Sequence, residues 1–205
     1  MAFLSAQDRA RIEAAVAAAE RQTAGEFVTV IAARADDYRH VPILAAAALA
    51  FLLSGPWLLL PVDFSHVQFY AGQVVLFIGA ALILQWRPVR MALVPKAEKV
   101  LRARRLAREQ FLELGLSSTK DRTGVMLFVA VAEHYVEILA DRGVHAHVGA
   151  DVWERIIADF TQAIRAGRVA DGFVQAIEGC AQAMAGPCPW RPDDRNELPN
   201  RLVEL

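Results

Sequence analysis

Charge is missing from two long stretches of this 205-residue chain. No Asp, Glu, Lys or Arg occurs from Val41 to Val62 or from Phe64 to Trp86, and Asp63 alone separates the two runs. An excess of basic residues is lacking as well. The formal net charge of −1 leaves no globally basic surface, which argues against nucleic acid as a partner. Cysteine is scarce: Cys180 and Cys188 match no zinc or redox spacing and make no disulfide framework. Both read as inert, small hydrophobes. A cleaved leader is not expected either, because "MAFLSAQDRARIEAAV" turns charged and amphipathic within a few residues. The amino terminus is therefore expected to stay in the cytoplasm. No nucleophile elbow, phosphate-cradling glycine loop or zinc-protease helix is present. Ser117 and Ser118 stand beside Thr119 with no histidine near in sequence, which reads as a cap or turn.

What is present in place of charge is apolar bulk. The 55% hydrophobic content exceeds the roughly 45–50% of soluble domains, and the excess lies in residues 41–86. A helix of about 22 residues crosses about 30 Å of hydrocarbon, and a soluble core helix of that length would show a polar stripe. The two runs therefore predict a transmembrane hairpin, about 41–60 and 66–86, turning at "PVDFSH". Asp63 and His66 are then solvated turn residues, and Trp57, Tyr70 and Trp86 fall where interfacial aromatics sit. Gly55 and Pro56 either kink the first helix or end it. Arg34 and Arg39 precede the hairpin; Arg87, Arg90, Lys96, Lys99, Arg102, Arg104, Arg105 and Arg108 follow it. The connecting loop has no Lys or Arg, so the positive-inside rule places both flanks and both termini in the cytoplasm. No ionisable group lies inside either helix, which excludes a proton or ion relay.

The flanks read as one soluble domain split by the hairpin: residues 1–33, then 96–186, with a polar tail over 187–205. "LSAQDRARIEAAVAAAERQTAGEF" predicts a helix capped by Ser5 with Asp8 as a capping box, an apolar stripe of Ile12, Ala15, Val16 and Ala19, and a stop at Gly25. Residues 26–33 follow as a β-branched strand. The segment from Lys96 predicts an amphipathic helix whose apolar face is Ala97, Val100, Ala103, Ala107, Phe111 and Leu114, with the arginines facing solvent or anionic lipid. Residues 124–140 predict two strands about a Glu133-His134 turn, and two helices follow, breaking at Gly167 and Gly186. The expected class is α/β (α+β): a small mixed sheet covered by helices, interrupted after its first strand. For the Pro-rich tail both docking and disorder are open.

Four segments stand out: Phe111–Leu116 ("F-x-x-x-G-L"), "KDRTGVMLFVAVAEHYVEI", "IRAGRVADGF" (164–173) and, for the first strand, "TAGEFVTV". Together they resemble the TPM domain family. The family includes a plant thylakoid phosphatase linked to photosystem repair and many bacterial membrane proteins of unsettled function. A hairpin after the first strand looks like a shorter bacterial branch, which implies the inner membrane and a cytoplasmic domain. Relatives carry an Asn or Asp before the "G-V-L" strand, an acid in the strand turn and a "G-Y-G-x-E" loop. Here Asp121 lies displaced from the first position before Thr123-Gly124, Glu133 fills the second, and the loop reads Asp141-Arg142-Gly143-Val144-His145. Only Gly143 is retained there, and His145 stands in place of the acid.

The resemblance implies divalent-metal chemistry, and calcium takes about six to eight hard oxygen ligands. The residues themselves offer Asp141, His145, His147 and Asp151 as a candidate set for zinc or manganese. Strand direction makes a second, membrane-proximal polar group of Asp36, Asp37, Glu133 and His134, about 20 Å from the first across a strand. Two functions are expected from this. The first is a membrane-anchored, non-catalytic interaction or assembly module in the lipid bilayer, working with other envelope proteins such as LemA-type proteins. The alternative is a divalent-metal-dependent phosphatase of the family type.

Overall fold

A computed structural model describes residues 4–56, 65–145, 147–192 and 196–205. The chain divides into two compact units, Met1–Ala35 with Val100–Leu205, and Asp36–Lys99. The elements run α1 (Ala6–Ala19), β1 (Glu26–Ala32), α2 (His40–Ser54), α3 (His66–Leu84), α4 (Arg87–Leu93) and α5 (Lys96–Glu113). They continue with a 3₁₀ turn (Leu116–Ser118), β2 (Gly124–Ala130), β3 (Tyr135–Ala140), α6 (Arg142–His145), α7 (Ala150–Arg165), α8 (Val169–Ala185) and β4 (Leu202–Glu204).

The first unit is a four-stranded mixed sheet in the order β3-β2-β1-β4. β1 runs parallel to β2, with Glu26 opposite Gly124 and Ala32 opposite Ala130. β3 returns antiparallel, Val125 opposite Ala140 and Ala130 opposite Tyr135. Every residue of β1 and β2 is buried, so these strands read as continuous apolar runs instead of alternating ones. Successive side chains go to opposite faces. Phe27, Ile31, Val125, Leu127 and Val129 share one cluster with Ile12 and Val16 of α1 and with Phe160, Phe173 and Ile177 of α7 and α8. Val28, Val30, Met126 and Phe128 form the other, against Ala103 and Ala107 of α5 and Leu116. Small residues on α5 let its backbone lie close to the sheet.

The tail docks, and it supplies a strand that its composition does not announce. β4 pairs parallel with β1, Thr29 opposite Leu202 and Ile31 opposite Glu204. Its hold comes from distant acids: Glu13 Oε1 accepts the Leu202 N–H at 3.4 Å, and Arg9 pairs with Glu204 at 2.7 Å.

Two expectations at α1 need correction. The Ser5 hydroxyl does accept the Asp8 N–H (3.1 Å), but it also donates to Asp8 Oδ2 (2.8 Å), in place of the reciprocal arm of a capping box. The helix ends at Ala19, with Glu20 as its C-cap, well short of Gly25. Gly25 instead lies against α8: a Cβ there would come within 2.4 Å of the Met184 methyl, which would have to shift.

In the second unit α3 is long and apolar enough to cross a membrane, and α2 is a shorter apolar helix. At 1.5 Å per residue, 19 residues reach about 28 Å and 15 reach about 22 Å. The first helix thus ends at Ser54, earlier than expected, and one turn of 3₁₀ covers Gly55 and Pro56. The second ends at Leu84, and α4 is a separate short helix with Pro88 in its first turn. Pro42, Ala46, Ala50 and Ser54 form the buried stripe of α2, four residues apart, and Gln73 donates to Ser54 Oγ at 3.3 Å. Such small residues let apolar helices approach closely. No residue of α3 is buried, and Phe51, Leu52, Val75, Leu82 and Ile83 stand exposed. Trp57 and Asp63 lie outside the described residues. Ser65 and His66 belong to α3 and not to a free turn: Ser65 accepts the Gln68 N–H, and Gln68 accepts the Ser65 N–H, a complete capping box.

Candidate functional site

The strand directions sort the candidate residues to the two ends of the sheet. β1 and β2 begin together at Glu26 and Gly124. Because β3 runs the other way, Asp141 follows it at that same end, while the turn carrying Glu133 and His134 lies at the opposite end.

At the turn end, Glu133 Oε1 accepts the backbone N–H of Ala35 at 3.0 Å. The Val131 N–H reaches the Ala32 carbonyl at 2.9 Å, so strand-like pairing continues into the turn. His134 takes the left-handed backbone, φ 51°, that closes it. Asp36 and Asp37 come next in the chain, in the other unit, and serve locally. Asp36 Oδ1 accepts the Tyr38 N–H at 3.1 Å, and Asp37 pairs with Arg39 at 3.1 Å.

At the other end Asp141 is 8% exposed. Its N–H donates to the Gly124 carbonyl at 2.9 Å, and its own carbonyl accepts from Val144 and His145, each at 3.0 Å, which starts α6. Oδ1 accepts the Arg142 N–H at 2.7 Å. Oδ2 is buried and has no hydrogen-bond partner among the described residues. Gly143 is held against the preceding loop: its N–H donates to the Arg122 carbonyl at 3.1 Å. A Cβ there would lie 2.6 Å from both the Asp121 and the Arg122 carbonyl oxygens, so no larger residue fits.

The remaining candidates do not converge on Asp141. His145 is exposed at the last residue of α6. His147 Nδ1–H donates to the Gly143 carbonyl at 2.9 Å, which turns that nitrogen to a structural use. Asp151 opens α7, points to solvent and lies 3.9 Å from Arg155. Asp121 lies 3.8 Å from Arg191. Among the described residues no group of three or more His, Cys, Asp or Glu side chains could hold a metal ion.

Beside this end lies a cavity of about 300 Å³ that the sequence did not suggest, lined among others by Glu20, Glu26, Trp190, Asn196 and Asn200. Glu26 is 6% exposed, and its two oxygens accept the N–H groups of Glu197 (3.1 Å) and Leu198 (3.2 Å). Glu20 accepts the Phe27 N–H at 3.2 Å and side-chain N–H groups of Asn196 and Asn200. The available signal was two glutamates flanking the strand start, with an Asn-x-x-x-Asn spacing in the tail. On the α5 face Tyr135 hydrogen-bonds Arg104, and Arg104 lies 3.7 Å from Glu137. Burial lifts the Tyr135 phenol above its ordinary value, with the Arg104 bond acting against it. Burial alone pushes the Cys180 thiol up to about 12, which leaves it unreactive as a nucleophile at neutral pH.

Residues 87–183 match the family model of the TPM domain. That segment holds α4, α5, β2, β3, α6, α7 and nearly all of α8, and leaves out α1 and the strands β1 and β4 that complete the sheet. No curated protein matches the chain. Among solved structures the chain is similar to the BA42 protein of the psychrophilic bacterium Bizionia argentinensis, determined by NMR. The TM-score is 0.62 at 20% identity, over 100% of this chain and 97% of that one. This is a likeness of fold.

Proposed function

We propose that the protein is a membrane-anchored cytoplasmic module whose TPM-like domain acts by interaction or assembly and not by catalysis. Its anchor is the two-helix segment, spanning the inner membrane, and its partners are other envelope proteins, LemA-type proteins among them. The observation that carries the reading is how the loop spends its polar groups. Asp141 Oδ1 accepts the first N–H of α6, the Gly143 N–H is committed to the preceding loop and His147 Nδ1 to the Gly143 carbonyl, while His145 and Asp151 face solvent. The anchor is supported by α3, whose length and exposed apolar surface suit hydrocarbon.

One observation favours the alternative, a divalent-metal-dependent phosphatase: the buried, unpartnered Oδ2 of Asp141, a hard oxygen of the kind calcium, manganese or zinc takes. The experiment that separates the two is a phosphomonoester hydrolysis assay on the full chain in detergent, with and without each of these metals. The interaction reading expects no metal-dependent turnover and capture of a defined set of envelope proteins from solubilised membranes. Turnover that Asp141→Ala abolishes would overturn it.

A further inference from the structure

α5 has two faces, and the fold uses one. Ala103 and Ala107 are fully buried against the sheet. The opposite face carries Leu101, Arg105, Arg108 and Leu112, spaced four, three and four residues apart, with Arg104 alongside. Leu101 is 61% exposed and Leu112 64%, so both present apolar surface beside the arginines. The arginine side chains are exposed with them, 71% for Arg105 and 51% for Arg104. Arg105 makes an i,i+4 pair with Glu109 at 2.9 Å, and Arg108 makes no ion pair among the described residues.

We infer that this face of α5 lies on the surface of an anionic bilayer leaflet, the arginines on lipid phosphates and the two leucines among the headgroup–acyl boundary. The inference rests on the membrane-anchor reading. Two arginines flanked by a leucine on each side, on one exposed helical face, offer an anionic surface both charge and apolar contact. Nucleic acid is disfavoured as the occupant because the chain as a whole carries a net −1. Tethering makes the leaflet the partner at hand. The chain passes from the end of α3 at Leu84 to the start of α5 at Lys96, so the bilayer is presented to α5 at high effective concentration. Weak contacts then suffice, because each arginine near an anionic surface shifts the docked-to-undocked ratio by roughly fivefold. The bilayer contact would fix which side of the domain faces the cytoplasm, leaving the cavity at Glu20 and Glu26 and the α6 loop for partners.

The test uses the full chain with Cys180→Ala and Cys188→Ala, carrying an environment-sensitive fluorophore on Leu112→Cys or, as control, on Glu154→Cys of α7. It is reconstituted into vesicles of phosphatidylcholine, or of phosphatidylcholine with phosphatidylglycerol, and quenched with doxyl lipids. Co-flotation with both vesicle types reports the anchor separately. The expected result is flotation with both, and a blue-shifted, quenched probe at 112 only with phosphatidylglycerol, with the control unquenched. Arg105→Gln with Arg108→Gln leaves Arg104 on Glu137 and should lower the docked-to-undocked ratio by more than about tenfold. High salt on the unaltered arginines should do the same, which guards against a folding defect in the variant. Flotation with a solvent-like probe at 112 in both lipids would overturn the docking and spare the anchor. Loss of flotation would overturn both. Quenching that ignores lipid charge, the double substitution and salt would overturn the role of the arginines.

Discussion

Glu133 and Asp141 stand at opposite ends of β3: Glu133 holds the Ala35 N–H at one, and Asp141 holds the start of α6 at the other. The six residues of the strand separate them by about 20 Å. Calcium–oxygen bonds are about 2.3–2.6 Å, so no single ion takes both carboxylates. A metal titration by calorimetry should therefore find that Glu133→Ala changes nothing in any binding that Asp141→Ala weakens. Equal loss in the two variants would mean the strand order is wrong.

Glu26 is the keystone of the tail. Replacing it with Ala leaves the Glu197 and Leu198 N–H groups without their carboxylate, at about 1.5–3 kcal/mol for each charge-assisted bond. Amide exchange should accelerate over residues 197–205 while the β1–β2 pairing stays protected. Uniform acceleration across the sheet would show instead that the tail and the core open together.

Gly143 admits no Cβ because two backbone carbonyls stand 2.6 Å from where it would sit. Gly143→Ala is expected to cost at least about 1–3 kcal/mol, the usual penalty for overpacking a site that cannot relax. A denaturant midpoint unchanged from the parent chain would show that the 119–123 loop yields.

The Cys180 thiol, pushed up to about 12 by burial, makes stability fall at high pH. Below its ordinary value of about 8.5 the thiol is protonated in both states and has no effect. Above that value only the unfolded chain releases the proton, and stability drops by up to about 1.4 kcal/mol per pH unit until the folded value is reached. Cys180→Ala should flatten the decline seen between pH 9 and pH 11 in thermal melts. An identical slope would place its cause elsewhere.

The sequence made the sheet's centre readable, because β1 is a β-branched run and β2 an apolar one, and their parallel pairing follows from the long connection. The helix α5 was equally plain from its apolar periodicity, and α7 and α8 from the breaks at Gly167 and Gly186. β4 was hidden for a physical reason: Leu202–Glu204 is only three residues long and is held by Arg9, Glu13 and β1, all far away in sequence. The site was legible as a residue set but not as a geometry. His145, His147 and Asp151 lie close in sequence to Asp141, yet the four-residue α6 turns them apart, and so short a helix has no periodicity to betray it. The cavity at Glu20 and Glu26 escaped because half of its polar groups come from the tail.

In the proposed topology residues 36–99 cross the membrane twice and return the chain to the side it left, where β1 and β2 pair. Cysteine accessibility in intact cells tests it most directly, since the native thiols are both buried. A cysteine at Ser65, exposed at the start of α3, should react with a membrane-impermeant maleimide added outside. Cysteines appended at Met1 and at Leu205 should react only after the cells are lysed. Protection at residue 65 together with external labelling of either terminus would contradict the claim.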